Sequence, residues 1–567
     1  MLIPTLPARV LDTLVPFFPH SSLGRLAAVF SMTLLICSAN SVSMANDKVS
    51  SVAESMLHVQ SFAELDALAL KLSQGATLPT DPLPKSLAEM TYDQHRMIRF
   101  RPEFSIWRNA QRPYWLQTFH RGFVHKDQVQ LYLLESPGLL EQTGRDAKDT
   151  GAVKVKQVEF DKAHFKYEGD VKAGDLPADL GYAGVRFIGY FPGNPQYSEI
   201  ASFVGASYFR AHSEKTVWGS SARGLAVNCG LPKAEEFPVF RAFYVKEPQA
   251  GDLSLTFLAL MDSDSVAGAY QFVMTPGKVS TTFDIIARLH FRKVPEKLGI
   301  APLTSMWMWG DALPGPKGDH RPEVHDSDGL LIKGADGQWS WRGFYRQNYP
   351  SLVRYPMDKL AGFGVIQRDR DPAHYLDDEA NYALRPSLWI EPAVPWERGA
   401  IELLELPAEH EGIDNVAAWW VPDQKPEVGV PIELKYKVSF FSGDPAEHLA
   451  AKVTALDLQR VDPKKFVFKL DFTGAALAKT DIAKTDVELV SIRCAITSRS
   501  LERVGDEQWV LKLEVEPTGE GPLELMARLV ESGQPISERW SYLCPLQAPP
   551  VVLPPWRVQQ TQEETPR

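Results

Sequence analysis

Apolar and polar residues alternate in several stretches of the chain, most regularly at residues 432–440, 466–472 and 509–515. Successive side chains of a β-strand point to opposite faces of a sheet, so a period of two is typical of a strand with one buried face. Each of these three stretches is therefore predicted to be a half-buried strand.

One helical pattern stands near the N-terminus. Ser61 and Glu64 have the spacing of a capping box, leucines follow at helical spacing through residues 65–72, and Gly75 comes after them. These signals mark the start, the buried face and the end of an amphipathic helix. We expect few other helices.

Short strand-like runs punctuated by proline and glycine dominate the rest of the sequence, which has 43 prolines and 38 glycines in 567 residues. Strand and helix patterns do not alternate. This combination predicts the all-β class, with antiparallel sheets packed as sandwiches. A chain of this length exceeds one ordinary core, so more than one domain is expected.

A turn-rich segment at residues 441–448 is the predicted hinge between two domains. A large first domain would occupy residues 46–443. Regular strand spacing after the hinge favours a small immunoglobulin-like sandwich at residues 447–546. The proline-rich end, residues 547–567, is predicted to be a disordered tail.

Residues 1–45 have the pattern of a secretory signal. Arg9 and Arg25 precede an apolar run at residues 26–39, and small residues lead to Ala45. The run is shorter than the roughly 20 residues that span a bilayer as a helix. We therefore expect cleavage after Ala45 and export of the remaining chain as a soluble protein.

The chain is acidic, with a formal net charge of −11 at pH 7. Loss of residues 1–45 removes two arginines and one aspartate, which leaves a charge of about −12. Binding to phosphates requires a concentrated basic face, so nucleic acid is excluded as a partner. A neutral substrate fits this charge.

Three cysteines lie beyond the signal: Cys229, Cys494 and Cys544. Exported proteins meet an oxidising compartment, in which Cys494 and Cys544 could form a disulfide within the C-terminal domain. Three buried free thiols are the alternative, and the sequence leaves both open.

Carboxylates, arginines and tryptophans are concentrated between residues 301 and 420, in HDSDGL (325–330), GFGVIQRDRD (362–371), RPSLW (385–389) and IDNVAAWW (413–420). Cleavage of a neutral sugar polymer needs one carboxylic acid, one carboxylate and flat apolar rings to hold the sugars. A solvated acidic loop over a tryptophan-rich core is the alternative, and composition alone favours it.

Histidines near these aspartates raise the question of a metal. The spacings of His320, His325 and His374 match no ligand pattern, and no phosphate-binding loop or nucleophile elbow is present. We therefore predict neither a metal nor a cofactor.

Eight motifs of this chain closely resemble, in the same order, those of the periplasmic osmoregulated glucan biosynthesis proteins G and D. Four are the motifs given above, with HDSDGL extended to RPEVHDSDGL (321–330). The other four are GASYFR (205–210), SARGLAVN (221–228), EEFP (235–238) and LGIAPLTSMW (298–307).

The resemblance covers residues 60–545 and implies both a fold and a setting. A large galactose-mutarotase-like β-sandwich with a glucan-binding cleft is expected at residues 46–443, followed by the immunoglobulin-like domain. The expected location is the periplasm. The expected role is in making β-1,2-linked glucans with β-1,6 branches.

Members of this family look like inverting β-1,2-glucanases with one aspartate as general acid and another as general base. By motif, the acid falls on Asp414 and the base on Asp326. Such pairs generally stand roughly 6.5–9.5 Å apart. We expect an apolar setting that raises the pKa of the acid, supplied by residues 417–420. A turn aspartate that caps its own backbone is the alternative for Asp414.

Six further side chains are expected to bind substrate: Asp328, Arg370, Tyr375, Arg385, Trp389 and Trp420. Carboxylates and arginines can hold sugar hydroxyls, and aromatic rings can stack on sugars. The alternatives are a turn residue for Asp328, ion pairs with neighbouring aspartates for the arginines, and core packing for the aromatic residues.

Two functions from different classes follow. The first is a periplasmic endo-β-1,2-glucanase. The second is a non-catalytic glucan-binding module whose immunoglobulin-like domain docks onto a membrane glucan synthase. A sugar epimerase or lyase is a weaker third hypothesis, based only on analogy of fold.

Overall fold

Strands with one apolar face make up most of the described chain. The computed structural model describes residues 52, 54–75, 77–79, 82–135, 153–169, 171, 174 and 176–550. The chain divides into two compact units, Met1–Ser55 and Met56–Arg567, and every element named below belongs to the second. The predicted signal at residues 1–45 and most of the predicted tail lie outside the described residues.

The helices with defined bounds in the described chain include α1 (Phe62–Ser73), α2 (Lys85–Ala88), α3 (Tyr92–Arg96) and α4 (Ala475–Ala478). The first confirms the predicted amphipathic helix. The hydroxyl of Ser61 accepts a hydrogen bond from the amide of Glu64 at 3.3 Å, and Leu65, Leu68 and Leu72 are buried. No helix in the described part of the chain is long and apolar enough to cross a membrane.

The first strands of the described chain are β1 (Ile98–Phe100), β2 (Trp115–His120), β3 (Gln130–Glu135), β4 (Lys154–Gln157), β5 (Phe165–Tyr167), β6 (Tyr182–Gly189), β7 (Ser198–Val204), β8 (Tyr208–Ala211), β9 (Ser221–Arg223), β10 (Leu225–Val227), β11 (Val239–Lys246), β12 (Leu255–Asp262), β13 (Val266–Thr275), β14 (Ser280–Phe291), β15 (Leu298–Ser305), β16 (Trp307–Trp309) and β17 (Val324–His325). The later strands are β18 (Gly329–Gly334), β19 (Trp339–Gly343), β20 (Ser351–Met357), β21 (Leu360–Ile366), β22 (Ser387–Pro392), β23 (Gly399–Glu405), β24 (Val416–Pro422), β25 (Ile432–Phe441), β26 (Lys452–Asp462), β27 (Lys465–Thr473), β28 (Thr485–Ile492), β29 (Cys494–Gly505), β30 (Gln508–Pro517), β31 (Leu523–Glu531), β32 (Gln534–Pro535) and β33 (Arg539–Cys544).

Two large sheets contain most of these strands. One has ten strands, in the order β2, β6, β7, β8, β9, β15, β24, β23, β20, with β10 also paired to β15. The other has fifteen, in the order β28, β31, β33, β19, β18, β21, β22, β25, β14, β13, β12, β11, β3, β4, with β32 paired to β31. Strands β26, β27, β30 and β29 form a separate four-stranded sheet.

Aromatic side chains fill the space between the two large sheets. The ring of Phe203 on β7 lies 5.3 Å from that of Phe257 on β12 and 5.2 Å from that of Phe272 on β13. Phe209 on β8 lies 5.4 Å from Phe283 on β14. Both partner sheets thus contribute one apolar face to a shared core, as in a β-sandwich. The predicted all-β class is confirmed.

The three alternating stretches of the sequence form strands as predicted. Residues 432–440 lie in β25, residues 466–472 in β27 and residues 509–515 in β30. In β27 and β30 the apolar residues at alternate positions are completely buried. Phe468 of β27 packs toward Trp540 of β33, with ring centroids 6.4 Å apart.

Strands from both sides of the predicted hinge join in the fifteen-stranded sheet. Strand β33 pairs in parallel with β19, and Trp540 lies opposite Trp341. Hydrogen bonds therefore continue from the predicted first domain into the predicted second one. The domain limits at residues 443 and 447 stay a prediction.

The three described cysteines are buried free thiols. Burial raises the pKa of Cys229 to about 12 and that of Cys544 to about 11, and it also raises the pKa of Cys494. Of the two alternatives left open by the sequence, the structure has the free thiols and not the disulfide between Cys494 and Cys544.

Candidate functional site

Asp414 lies in the turn that precedes β24, and its neighbour Asn415 fixes this turn. The side-chain oxygen of Asn415 accepts a hydrogen bond from the amide of Trp307 at 2.8 Å. Its side-chain nitrogen donates to the carbonyls of Trp307 at 2.9 Å and Leu406 at 3.2 Å. A buried asparagine that satisfies three backbone groups holds the turn in one conformation.

The carboxylate of Asp414 meets polar side chains from two strands of the ten-stranded sheet, β15 and β8, which are separated by β9. Thr304 of β15 donates its hydroxyl to Oδ2 at 3.1 Å, and Nη2 of Arg210 on β8 lies 3.8 Å from the same oxygen. Arg210 also donates from Nε to the hydroxyl of Ser221 on β9 at 2.6 Å. The side chain of Asp414 remains 35% exposed and is in contact with solvent.

Asp326 is buried, in contrast to Asp414. Nη1 of Arg385 donates to its Oδ1 at 2.6 Å, and its amide donates to the carbonyl of Met306 at 2.8 Å. Burial raises the pKa of Asp326, the charge of Arg385 lowers it, Asp414 raises it and Arg210 lowers it. The two aspartates and two arginines therefore share one electrostatic environment.

Arg385 is held in place from several sides. Arg370 donates to the carbonyl of Ala383 at 3.0 Å and to the carbonyl of Arg385 itself. The guanidinium of Arg385 lies over the ring of Tyr382, 4.6 Å from its centroid. Gly219 packs so closely that a Cβ there would lie 3.0 Å from the Cβ of Arg385. Arg370 thus holds the backbone around Arg385 by hydrogen bonds to two carbonyl groups.

Asp328 connects the segment that contains Asp326 to the loop at residues 367–371 (QRDRD). Its carboxylate accepts hydrogen bonds from the amides of Arg368 and Asp369, the latter at 2.9 Å. Its own amide donates to the carbonyl of Ile366 at 2.8 Å. The side chain of Asp328 therefore holds the backbone of that loop through two hydrogen bonds.

Arg368 links the same loop to residues of the C-terminal part of the chain. It donates to both carboxylate oxygens of Glu538, to Asp444 at 2.8 Å and to the carbonyl of Val453 at 2.6 Å. Its guanidinium stacks on Trp341, 3.8 Å from the ring centroid. Side chains of Arg368 and Glu538 are 6% and 0% exposed, so this ion pair is dry.

We predict that Arg368→Met destabilises the chain by about 3–5 kcal/mol, because the substitution leaves the buried carboxylate of Glu538 without its arginine partner, although the amide of Val453 still donates to it. Urea unfolding followed by tryptophan fluorescence measures the change. Arg398→Met is the control, since Arg398 is 76% exposed and its aspartate partners are exposed or half-exposed. Equal effects of both substitutions would contradict the prediction.

His325 is buried at the centre of a hydrogen-bonded group beneath the site. Its Nδ1 lies 3.0 Å from Oε1 of Gln367, and its Nε2 lies 2.7 Å from Glu323. Gln367 donates its amide nitrogen to the hydroxyl of Tyr375 at 2.8 Å. Burial alone lowers the pKa of His325, but the charges of Asp328 and Glu323 outweigh it and raise the pKa to about 9.

This raised pKa predicts a pH dependence of stability. The imidazolium of His325 stabilises the folded state fully below the unfolded pKa of about 6.5, and the contribution is lost as the pH rises through about 9. As the pH rises from about 6.5 to about 9, the urea concentration at the unfolding midpoint should therefore decrease for the wild type relative to His325→Gln. Midpoints that run parallel for the two proteins would contradict the prediction.

Three buried hydroxyls meet next to the two aspartates. Ser305 donates to Ser327 at 2.9 Å, and Ser220 lies 2.9 Å from Ser305 and 3.1 Å from Ser327. Ser305 follows Thr304, and Ser327 follows Asp326. These three uncharged hydroxyls connect the chain segments around Ser220, Ser305 and Ser327.

The three aromatic side chains predicted to bind glucan lie in the interior. Trp389 is 4% exposed, Tyr375 is 1% exposed and Trp420 is 1% exposed. Trp389 packs against Gly362 and Gly364, where an added Cβ would lie 2.5 and 2.8 Å from its ring. The placements match the core-packing alternative given for them.

The structure thus brings some of the predicted residues together and separates others. Asp326, Asp414 and Arg385 share one site. Asp328 and Arg370 lie beneath it and bind backbone groups of neighbouring loops, while the three aromatic residues belong to the core.

Sequence reasoning missed Arg210, Thr304 and Asn415, which contact Asp414 or fix its turn. Arg210 ends the motif GASYFR, and Thr304 lies in LGIAPLTSMW. Both motifs carried the family resemblance, but nothing in either sequence stretch assigns a partner to these polar residues. Membership of a shared motif was the signal that could have found them.

Among the residues that the structure describes, two groupings of side chains could hold a metal ion, although the sequence predicted none. One consists of Glu323, His325 and Asp328, and the other of Glu323, Asp369 and His374, with ligand atoms within 4.8 Å of one another. In the first, the hydrogen bond from His325 to Gln367 fixes the imidazole in the way that supports a metal ligand. The absence of a metal stays a prediction.

The family model described as "Periplasmic glucan biosynthesis protein, MdoG" matches residues 60–544. This chain belongs to that family. The MdoG family is periplasmic, and membership gives the chain a role in glucan biosynthesis. Among curated MdoG relatives, glucans biosynthesis protein G of Pseudomonas paraeruginosa is 34% identical over 485 residues, which cover 82% of this chain and 89% of that protein.

The following two solved structures are only remotely similar to this chain. An alpha-galactosidase from Lactobacillus brevis matches with a TM-score of 0.23 and 6% identity, over 39% of this chain and 29% of that one. The alpha-galactosidase AgaB from Geobacillus stearothermophilus matches with a TM-score of 0.24 and 7% identity, over 46% and 39%. Similarity at this level carries no argument about either fold or function.

Proposed function

We propose that this chain is an inverting endo-β-1,2-glucanase that acts on osmoregulated periplasmic glucans, with Asp414 as the general acid and Asp326 as the general base. One observation carries the proposal: two carboxylates from distant motifs are both tied to residues 304–306, Asp414 through the hydroxyl of Thr304 and Asp326 through its amide to the carbonyl of Met306. One of them is exposed and the other is buried against an arginine. Pairs of carboxylates in unlike environments are the usual machinery of glycoside hydrolysis.

In this reaction Asp414 donates its proton to the glycosidic oxygen as the bond from that oxygen to C1 breaks. Water attacks C1 from the opposite face of the sugar, and Asp326 accepts the proton that the water loses. The products are two shorter glucans, and the anomeric configuration at the cleaved C1 is inverted.

The surroundings of the two aspartates differ from the apolar setting expected for the acid, because Asp414 is the exposed carboxylate and Asp326 the buried one. Asp414 is in contact with solvent, and the hydroxyl of Thr304 holds one of its oxygens. Asp326 must be ionised to act as a base, although burial favours its neutral form. The charge of Arg385 opposes that effect and stabilises the carboxylate.

We also propose that residues 1–45 are a cleavable signal that delivers the chain to the periplasm. The apolar run that follows two arginines supports this, as does the periplasmic family. The acidic charge of the chain suits a neutral polysaccharide as substrate.

The activity is tested by incubating the mature protein with linear β-1,2-glucan and measuring new reducing ends. Asp414→Asn and Asp326→Asn should each lower the rate at least about 100-fold, the usual minimum contribution of a general acid or base. Asp358→Asn, at a side chain that is 98% exposed, is the matched control and should keep full activity. No release by the wild type would remove the enzymatic claim.

The role of Arg385 predicts a shift in the pH profile. Its replacement in Arg385→Ala removes the charge that lowers the pKa of Asp326, so the acid limb of kcat/KM should move to higher pH. Arg385→Lys keeps a charge and should shift the limb less. A profile that is lower at every pH but keeps its midpoints would limit Arg385 to substrate binding.

The second candidate is a glucan-binding protein without catalysis that assists a membrane glucan synthase. The closed ion pair of Asp326 and Arg385 favours it, because a buried and paired carboxylate needs no further partner. This function predicts glucan binding that is insensitive to Asp326→Asn, with no new reducing ends.

A further inference from the structure

The motif EEFP is not used by the proposed hydrolysis, yet the carboxylates of its two glutamates are held by neighbouring residues. Glu235 accepts a hydrogen bond from Nη2 of Arg223 at 2.6 Å. Glu236 accepts from the hydroxyl of Ser263 at 2.7 Å and from the amide and hydroxyl of Ser265 at 2.7 and 2.6 Å. Phe237, which follows these two anchored carboxylates, is nevertheless 48% exposed.

Phe237 is one layer of a stack of three side chains. The guanidinium of Arg223 lies 5.1 Å from the ring centroid of Phe237 and 4.8 Å from that of Tyr208. Arg223 on β9 is directly opposite Tyr208 on β8 and is only 3% exposed. A buried cation between two rings fixes the orientation of the outer ring, which is Phe237.

The stack and Asp414 belong to the same face of the ten-stranded sheet. Tyr208 and Arg210 are two positions apart on β8, and Ser221 and Arg223 are two positions apart on β9, so each pair points to one face. Arg210 contacts both Ser221 and Asp414. The row of side chains from Asp414 through Arg210 therefore continues to the stack.

Polar groups surround the exposed ring. Phe237 lines a surface cavity of about 470 Å³ together with Asn228, Lys233 and Asp264. An aromatic face next to amide, ammonium and carboxylate groups can stack on the apolar face of a pyranose and bind its hydroxyls. Single exposed apolar residues are common on protein surfaces, but this one has a fixed orientation and a polar cavity beside it.

We propose that Phe237, oriented by Arg223 and Tyr208, is a stacking platform that binds a glucosyl unit of the polymer away from the bond that is cleaved. The proposal rests on the glucan substrate of the proposed function. It assigns the EEFP motif to holding the polymer and gives the chain a preference for glucans long enough to reach from Asp414 to Phe237.

The test measures the affinity of the full mature chain for linear β-1,2-glucan by isothermal titration calorimetry, in the Asp414→Asn background to prevent turnover. Phe237→Ala should weaken binding about tenfold, as expected for loss of one aromatic contact. Phe104→Ala is the matched control, because Phe104 is 37% exposed and lies under Arg101 at 4.7 Å but is not in this stack. The control should bind as the parent does.

Two further variants separate stacking from simple apolar contact. Phe237→Trp should restore the affinity and Phe237→Leu should not, with equal melting temperatures for all variants. Glucans too short to span both positions should bind Phe237→Ala and the parent equally. Parental affinity of Phe237→Ala or of Phe237→Leu for long glucan would overturn the platform.

Failure of this inference differs from failure of the proposed activity. If the wild type releases reducing ends and Phe237→Ala has parental affinity and parental kcat/KM, the hydrolase stands without the platform. If the wild type releases none but binding depends on Phe237, the platform stands in a non-catalytic glucan-binding protein. If the parent binds no glucan of any length, the platform is overturned.

Discussion

A charged group that leaves water needs a partner of opposite charge, and this constraint organises the region around the candidate site. Arg385 meets the buried carboxylate of Asp326, and Arg368 meets that of Glu538. Removing such groups from water costs several kcal/mol per ion, and attraction offsets the cost only with close geometry and further hydrogen bonds. Both arginines accordingly donate to backbone carbonyls as well as to carboxylates. Segments far apart in the sequence are thereby held in one arrangement.

The same constraint gives the two aspartates of the site different properties. Asp326 lies under the surface and depends on Arg385 for its charge, whereas Asp414 stays in contact with solvent and meets a hydroxyl and a more distant guanidinium. Each environment is fixed by backbone contacts of a neighbour, as with Asn415 beside Asp414.

Much of the fold followed from local patterns, but the placement of aromatic residues did not. Alternation of apolar and polar residues predicted β27 and β30, because one face of each strand is buried and the other faces solvent. Trp389 and Trp420 stand beside charged motifs in the sequence and were expected to contact glucan, yet both are buried. Their strands, β22 and β24, lie inside large sheets between two hydrogen-bonded neighbours. Adjacency in sequence does not tell which face of such a strand is covered.

The sequence by itself determined the all-β class, the first helix, the strands with one wet face and, through eight ordered motifs, the family. Only the tertiary structure decided that Arg210 and Thr304 meet Asp414, that Arg385 pairs with Asp326, and that the EEFP motif presents an exposed ring. Periodicity and capping depend on neighbouring residues within one helix or strand, so they can be recognised in a short stretch of sequence. The partner of a buried charge is determined by sheet order and register, which bring together residues that are 59 (Asp326 and Arg385) to 204 (Arg210 and Asp414) positions apart only after the chain has folded.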